Sequence, residues 1–253
     1  MTIDPARVAD IIRYAAQAEI LPRFQHLSAA QIHEKKPGQL VTEADIEAEK
    51  VLARRLCELL PGAAVVGEEG VEANPGVLAV LDQPGKVWVI DPVDGTANFA
   101  KGNPRFGVIV ALVEDGKTTG GWIFDPLSDR MVIALVGEGA WIGPRRLEVA
   151  DTELGRMRGS ACRRTAMASR VAKAGRKGSA AHDYIDLVTG ELEFAHFTHL
   201  MPWDHAAGVL IHAEAGGHGR LISDRPYRPT MCDNALLLAP SASSWRALRA
   251  LVE

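Results

Sequence analysis

Near the middle of the chain lies Trp88-Val-Ile-Asp-Pro-Val-Asp-Gly-Thr-Ala-Asn-Phe99, a hydrophobic run followed by two acidic residues. The apolar residues from Val87 to Ile90 predict a buried strand. We expect this strand to stop at Asp91-Pro92, because proline cannot donate to the hydrogen-bonded ladder of a sheet. The polar residues that follow are therefore expected in a tight turn at a strand end.

That turn carries Asp91 and Asp94, followed by Gly95 and Thr96. Glycine allows a close backbone approach, and Thr96 is placed to cap a short helix. Such a strand end favours a divalent cation that holds a phosphate, because magnesium binds carboxylate and water oxygens and shares them with phosphate. Taken alone, the motif fits a solvated Asp-Gly turn equally well.

The composition is that of an ordinary globular protein: of 253 residues, 47% are hydrophobic and 24% are charged, and the net charge is -4. This balance argues against non-specific nucleic-acid binding, which needs a basic face. No apolar run reaches the roughly 18 residues of a membrane span. No signal peptide is recognisable, and Cys57, Cys162 and Cys232 form no C-x-x-C pair. We therefore expect a cytoplasmic protein without a disulfide framework or a structural zinc site.

Hydrophobic spacing predicts a helix over 5–22 and another from Thr42 to about Leu60, with an exposed hairpin or loop over 31–40 between them. Thr42 is the expected N-cap, and Asp45 complements the dipole of the second helix. Apolar runs predict further strands at 63–66, 107–113, 120–124, 131–136 and 140–142. We expect the tryptophans of these runs, Trp88, Trp122 and Trp141, in the core.

In the second part of the chain, predicted helices alternate with short predicted strands. The pattern predicts helices over 163–174, from Lys177 to Val188, from Pro202 to Gly216, and from Ser241 onward. Short strands are expected near 192–197, 221–222 and 235–238. We interpret the histidines, including His205, chiefly as structural residues.

Four acids, Glu68, Asp91, Asp94 and Asp204, each fall at the end of a predicted strand or the start of a predicted helix. If they converge in one cleft, they repel each other and a phosphate dianion, and each loses hydration. Bound divalent cations neutralise the cluster and attract the phosphate. This favours metal-assisted hydrolysis over a metal-free acid–base pair.

Three short motifs follow one another along the chain: Gly-Glu-Glu at 67–69, Asp-Pro-Val-Asp-Gly-Thr at 91–96 and Trp-Asp-His-Ala-Ala-Gly at 203–208. Together they resemble the inositol monophosphatase family over nearly the whole chain. The resemblance implies a layered α/β (α+β) fold of the sugar-phosphatase type, an αβαβα sandwich. It also implies one domain over residues 1–253, with lobes of about 1–145 and 146–253.

The resemblance implies a ligand set for two to three Mg²⁺ ions. Glu68, Asp91 and the backbone carbonyl of Val93 would hold one ion, and Asp91, Asp94 and Asp204 a second. A third, looser ion would lie near Glu68. Sensitivity to lithium is implied as well.

The resemblance also implies catalytic roles. Thr96, hydrogen-bonded to Asp45, would orient and deprotonate the attacking water, with Glu68 part of the same machinery. The backbone amides of Gly95 and Thr96 would bind phosphate oxygens. A family lysine corresponds loosely to Lys35 or Lys36.

The substrate side departs from the family pattern. The segment Gly178-Ser-Ala-Ala181 and Asp183 resemble the residues that line the family's substrate pocket, so Ala180 and Asp183 are candidate contacts. Many inositol phosphatases carry a glutamate where this chain has Phe197, and nearby His199 is a further candidate. A site without that carboxylate binds a polyol less well, because a buried hydroxyl loses a charged acceptor.

The expected function is Mg²⁺-dependent hydrolysis of a small phosphate monoester, inositol monophosphate or a related polyol or sugar phosphate. The alternatives are 3'-phosphoadenosine 5'-phosphate and histidinol phosphate. A different class of function is a non-catalytic binding or regulatory protein that retains the metal site. The resemblance implies a homodimer and a small phosphorylated substrate, whereas the composition argues against a membrane partner and against nucleic-acid binding.

Overall fold

The computed structural model describes residues 3–161, 166–231 and 234–252. Its helices are α1 (Pro5–Ala15), α2 (Glu43–Leu59), α3 (Glu68–Ala73), α4 (Thr96–Ala100), α5 (Ala180–Thr189), α6 (Pro202–Glu214) and α7 (Ala242–Arg249). Its strands are β1 (Ile32–Lys36), β2 (Gln39–Thr42), β3 (Ala64–Gly67), β4 (Lys86–Asp94), β5 (Gly107–Glu114), β6 (Lys117–Asp125), β7 (Arg130–Leu135), β8 (Gly139–Ile142), β9 (Arg145–Leu147), β10 (Arg158–Ser160), β11 (Lys173–Ala174), β12 (Phe194–Phe197), β13 (His218–Leu221) and β14 (Leu236–Ala239). Within these ranges, no helix combines the length and apolar character that a membrane crossing requires.

The strands form two main sheets and a separate hairpin of β1 and β2. The larger sheet has the order β3-β4-β5-β6-β7-β8-β9, with β3 and β4 parallel and the remaining neighbours antiparallel. The smaller sheet has the order β11-β10-β12-β14-β13. All strands of the larger sheet precede residue 150, and all strands of the smaller sheet follow it.

Each strand of the larger sheet contributes side chains to two different layers, because successive side chains point to opposite faces of a sheet. In β5, Val108 and Val110 pack with α1 and α2, whereas Ile109 and Ala111 pack with α5 and α6. The smaller sheet covers the other side of α5 and α6, and its outer face packs against Trp245 of α7. The order of layers is therefore helices, sheet, helices, sheet, helix, and the expected αβαβα sandwich is confirmed. One buried cluster contains residues of both sheets.

Helices α5 and α6 approach each other closely. A Cβ atom at Gly208 would lie 2.2 Å from the ring of Tyr184, so only glycine fits at this position of α6. Helix α6 carries Asp204 near its first turn, and α5 begins beside Asp94.

Most of the predicted elements are confirmed within a few residues, but the end of the central strand is not where the sequence predicted it. Strand β4 continues past Pro92 to Asp94, with a register irregularity between Asp91 and Asp94. Pro92 lies in that irregularity, where the ladder does not need its missing N–H, and pairing resumes at Asp94 with Gly107. Thr96 is also not the N-cap of α4: Gly95 occupies that position with φ of 84°.

Two further expectations are wrong. The first is the helix predicted over 163–174. Residues 162–165 and Cys232 lie outside the described residues, and the described part of this segment forms a short 3-10 turn at Ala166–Ser169 and the strand β11. Pairing of β11 with β10 overrides the local helical pattern. Trp141 is 36% exposed rather than in the core, because β8 lies near the edge of the larger sheet.

Candidate active site

Three aspartates converge where the two main layers of the sandwich meet. Asp91 and Asp94 lie at the end of β4, and Asp204 is the third residue of α6. One carboxylate oxygen from each lies within 4.8 Å of the others. Residues three apart on a regular strand face opposite sides, so the irregularity in β4 is what allows both of its aspartates to join the cluster.

Asp94 is held by the beginning of α5. Its carboxylate accepts hydrogen bonds from the Ser179 hydroxyl (2.5 Å) and from the backbone amides of Ala180 (3.1 Å) and Ala181 (2.8 Å). These amides have no partner inside the helix, and the positive end of the helix dipole favours a carboxylate there. Asp94 therefore joins the end of β4 to the start of α5.

Asp45 and Thr96 form a second hydrogen-bonded group beside the aspartates. The Thr96 hydroxyl lies 3.0 Å from Asp45 Oδ1 and 3.1 Å from the backbone carbonyl of Val93. The other oxygen of Asp45 accepts from the amide and the hydroxyl of Thr42, which completes a capping box at the start of α2. Asp45 is thus both a cap residue and the partner of Thr96. Burial raises the pKa of Asp45 to about 6, against the opposing effect of its bonds with Thr42.

Glu68 begins α3 at the end of β3 and contacts a lysine from the β1–β2 hairpin. Lys35 Nζ lies 3.1 Å from Glu68 Oε1 and 2.6 Å from Glu69 Oε1, and the Lys35 side chain is only 9% exposed. Both lysines considered from the sequence line the cavity of the site, but only Lys35 contacts Glu68, whereas Lys36 pairs with Glu72 at 3.1 Å. Glu68 lines the same cavity as the three aspartates but lies outside their compact cluster.

The electrostatics of the aspartate cluster fit a divalent cation. Burial raises the pKa of Asp91 and of Asp204 well above the ordinary aspartate value, and neighbouring carboxylates such as Glu68 and Asp94 raise them further. Burial also raises the pKa of Asp94 to about 6, although its three hydrogen bonds oppose this. Three buried anions are unfavourable without a counter-charge, and a set composed only of oxygen donors suits magnesium.

The cluster opens into a cavity of about 610 Å³. Its lining includes the predicted site residues Glu68, Asp91, Val93, Asp94, Gly95, Thr96, His199 and Asp204. Gly95 has φ of 84°, and a Cβ there would lie 2.9 Å from the carbonyl of Arg105. The tight turn predicted around this glycine is therefore present, and it lets the backbone approach the cavity.

A smaller pocket of about 190 Å³ adjoins this cavity, with Asp94 and Asp204 in both linings. It brings together the four candidate substrate contacts, Ala180, Asp183, Phe197 and His199. The ring of Phe197 stacks on Tyr184 at 5.4 Å between centroids and lies 4.6 Å from the His205 ring. Phe197 therefore forms an aromatic wall at the position where the resemblance implies an acid.

The other residues of this pocket have mainly structural bonds. Asp183 accepts a short hydrogen bond from Ser160, and burial raises its pKa to about 6. His205 lies between Tyr184 Oη (3.0 Å) and the carbonyl of His199 (2.8 Å), in agreement with the structural role expected for it. Burial lowers the pKa of His205 to about 4, so the ring is neutral.

Three contributors were missed at the sequence level. Ser179 was placed inside a predicted helix, but it is the N-cap of α5 and donates to Asp94. The preference of serine for N-cap positions was the signal that could have identified it. Glu49 of α2 accepts from the backbone amides of Glu69 (2.9 Å) and Gly70 (2.8 Å), which fixes the start of α3. Arg176 lines the pocket of Phe197, and its only signal in the sequence is the short basic run over 173–177, which is more typical of a solvated surface. Glu49 and Arg176 are brought to the site only by the tertiary fold.

Comparison with known proteins places this geometry in a family. The family model described as "Inositol monophosphatase family" matches residues 6–252. The chain belongs to the inositol monophosphatase family. The resemblance noted from the three motifs is confirmed.

Individual relatives agree with this assignment. The chain is 33% identical to inositol-1-monophosphatase of Mesorhizobium japonicum over 89% of this chain and 87% of the relative. It is 30% identical to Nus factor SuhB of Xylella fastidiosa, over 79% and 75% of the two chains. The crystal structure of inositol monophosphatase II from Staphylococcus aureus superposes with a TM-score of 0.82 at 25% identity, covering 98% of this chain and 92% of that one. Family membership makes the chain a phosphoric monoester hydrolase of the inositol-phosphate phosphatase type.

Proposed function

We propose that the protein hydrolyses a small phosphate monoester in a Mg²⁺-dependent reaction, with inositol monophosphate or a related polyol or sugar phosphate as substrate. The observation that carries the proposal is the cluster of Asp91, Asp94 and Asp204 beside the hydrogen-bonded pair of Thr96 and Asp45. The first group suits cations and phosphate, and the second suits a water nucleophile.

The proposed ligands of two to three magnesium ions are those that the family resemblance implies, and their presence in the lining of one cavity supports them. Glu68, Asp91 and the Val93 carbonyl form one set, and Asp91, Asp94 and Asp204 form the other. When bound, magnesium supplies charge neutralisation, activation of a water molecule and stabilisation of the leaving oxygen. Lithium inhibition is part of the proposal, since lithium would occupy one of these positions.

The protein groups have separate roles in this proposal. Thr96 donates its hydroxyl proton to Asp45 and so presents its oxygen as an acceptor for a proton of the attacking water. Asp45 has a raised pKa of about 6, which is close to the value that suits a proton acceptor near neutral pH. The backbone amides of Gly95 and Thr96, which line the cavity, bind phosphate oxygens.

The pocket around Phe197 bears on the substrate. Inositol monophosphate is favoured by the name of the Mesorhizobium relative, whereas the aromatic wall removes a carboxylate acceptor for polyol hydroxyls. A structure of SaIMPase-II has 2'AMP bound, at 25% identity to this chain, which keeps nucleotides such as 3'-phosphoadenosine 5'-phosphate among the candidates. Histidinol phosphate is a further alternative.

A binding or regulatory role is the second candidate, and the observation that favours it is the relative called Nus factor SuhB. The net charge of -4 argues against a broad nucleic-acid-binding face. The hydrogen bonds that hold Asp45 and Asp94 in place argue against a disused site. A cytoplasmic location and a homodimer complete the proposal.

Phosphate release from purified protein tests the proposal. The panel holds inositol 1-phosphate, histidinol phosphate, 3'-phosphoadenosine 5'-phosphate and sugar phosphates, each with magnesium, with chelator, and with magnesium plus lithium. We expect release only with magnesium and less of it with lithium. Asp91→Asn should lose it, whereas the matched control Asp10→Asn, at an exposed position of α1, should retain it. Absence of release from every ester, with magnesium present, would reject the enzymatic proposal.

A further inference from the structure

A basic cavity lies beside the pocket of Phe197. Its volume is about 450 Å³, and Arg105, Arg158, Lys173, Arg176 and Lys177 contribute five cationic side chains to its lining. Among the residues that the structure describes, the acids that line the same cavity are Asp186 and Glu191. An excess of positive charge around a concave surface favours a bound anion.

Some of these cations are already paired. Arg105 lies 2.9 Å from Asp186, and Arg158 lies 2.8 Å from Glu193. Lys177 shares Asp186 at a longer distance of 3.5 Å. Within residues 3–161, 166–231 and 234–252, the other two cations, Lys173 and Arg176, form no ion pair. The cavity therefore retains charge that its own acids do not neutralise.

Arg176 connects this cavity to the candidate active site, because it also lines the pocket that contains Asp94, Phe197 and Asp204. Its guanidinium donates to the Thr198 hydroxyl at 3.0 Å and to the backbone carbonyl of His196 at 3.3 Å. Both acceptors are neutral, so the bonds orient the guanidinium without cancelling its charge. Arginine presents several donors in a planar fork, which suits a phosphate.

We infer that the preferred substrate carries a second phosphate, remote from the one that is hydrolysed, and that Arg176 and Lys173 bind this second phosphate in the basic cavity. The inference rests on the proposed function, because it places the scissile phosphate at the aspartate cluster. It also accounts for Phe197. A substrate held by two phosphates depends less on a carboxylate acceptor for its hydroxyl groups.

Matched pairs of substrates test the inference. Fructose 1,6-bisphosphate is compared with fructose 1-phosphate, and adenosine 2',5'-bisphosphate with 2'AMP, by steady-state phosphate release with magnesium. We expect wild-type protein to have the higher kcat/KM for the bisphosphate in at least one pair, through a lower KM. Arg176→Gln should reduce that preference by about tenfold, as the loss of a charged hydrogen bond predicts. Lys173→Gln should reduce it less, because lysine offers a more flexible point charge.

Arg145→Gln is the matched control, because Arg145 is exposed on β9 and does not line the basic cavity. It should leave the preference unchanged. The inference is overturned if neither bisphosphate is preferred, or if Arg176→Gln slows both members of each pair by the same factor. These results differ from failure of the proposed function, in which wild-type protein releases no phosphate from these four compounds or from any other ester of the panel, inositol 1-phosphate included.

Discussion

The aspartate cluster and the pocket of Phe197 are adjacent but are built in different ways. Asp94 of the cluster and Asp45 beside it each accept three hydrogen bonds, all of them from backbone amides or from short hydroxyl side chains. The pocket is bounded instead by the aromatic ring of Phe197 and by exposed groups such as His199 and Arg176. Backbone-held carboxylates tolerate little change, whereas the pocket side chains can vary without altering the frame. The difference suggests that the chemistry is fixed by the fold and the choice of substrate by a few side chains.

The strongest test of this comparison is Asp91→Asn. We expect phosphate release to fall by orders of magnitude, because the variant lacks the carboxylate shared by both proposed magnesium sets. The metal-free variant should be at least as stable as metal-free wild-type protein, since it no longer buries that charge among other acids. Thermal unfolding with and without magnesium measures the second effect.

The control for this experiment is again Asp10→Asn, which should follow wild-type protein in both assays. Magnesium should raise the Tm of wild-type protein and of the control but raise that of Asp91→Asn much less. A wild-type rate of phosphate release in Asp91→Asn would show that Asp91 is not a required metal ligand. Collapse of its fold without metal would show that this carboxylate is structural instead.

The next largest effect is expected at Thr96. Thr96→Val keeps the size of the side chain but removes the hydroxyl that bonds to Asp45, and we expect kcat to fall by about a hundredfold, as for the loss of an acid–base group. Thr96→Ser retains the hydroxyl and should keep most of the activity. Asp45→Asn combined with Thr96→Val should be little worse than either change alone, because the two groups act as a unit. If the losses of kcat are instead additive in the double variant, Thr96 and Asp45 act independently.

The same contrast explains what the sequence could predict. The acids of the cluster occur in short motifs at strand ends, so Asp91, Asp94 and Asp204 were recognisable before their contacts were known. The continuous apolar run over 107–113 likewise predicted a strand, and the structure buries β5 on both faces. Arg176 and the strand β11 could not be predicted, because their roles depend on contacts with β10 and β12, which are distant in sequence or set by tertiary pairing. Pro92 was misread because a proline rule for regular ladders does not cover a strand irregularity.

A smaller effect should appear in the pH dependence of magnesium stabilisation. Burial raises the pKa of Asp94 to about 6 and that of Asp91 well above its ordinary value, so protons compete with magnesium for these carboxylates as the pH falls. In metal-free protein the folded state binds more protons at these groups than the unfolded state does. The ionised groups therefore lower the free energy of unfolding at high pH, and this destabilisation is relieved as the pH falls. We therefore expect magnesium to raise the Tm more at about pH 8 than at about pH 5.

Two buried histidines act in the opposite direction and need a control. Burial lowers the pKa of His205 and of His212 to about 4, so the unfolded chain binds more protons than the folded one between that value and the ordinary histidine pKa. Their contribution to stability is lost as the pH falls through this window, with or without magnesium. The comparison of magnesium-loaded with metal-free protein at each pH cancels it. An equal magnesium effect at both pH values would contradict the raised pKa values of the cluster.

The smallest effect on turnover is expected for Phe197→Leu. Leucine keeps an apolar wall of similar volume but loses the stacking on Tyr184, so the stability should fall by about 1 kcal/mol. The KM of the best substrate should change a few-fold while kcat stays nearly the same, because Phe197 lies in the pocket and not among the hydrogen bonds that hold the aspartates. Phe197→Glu should shift selectivity towards inositol 1-phosphate, and Phe197→Gln should do so less, since only the first restores a charged acceptor. If Phe197→Leu instead reduces kcat by orders of magnitude, the pocket and the cluster form one catalytic unit, and the separation between fixed chemistry and adjustable specificity does not hold for this chain.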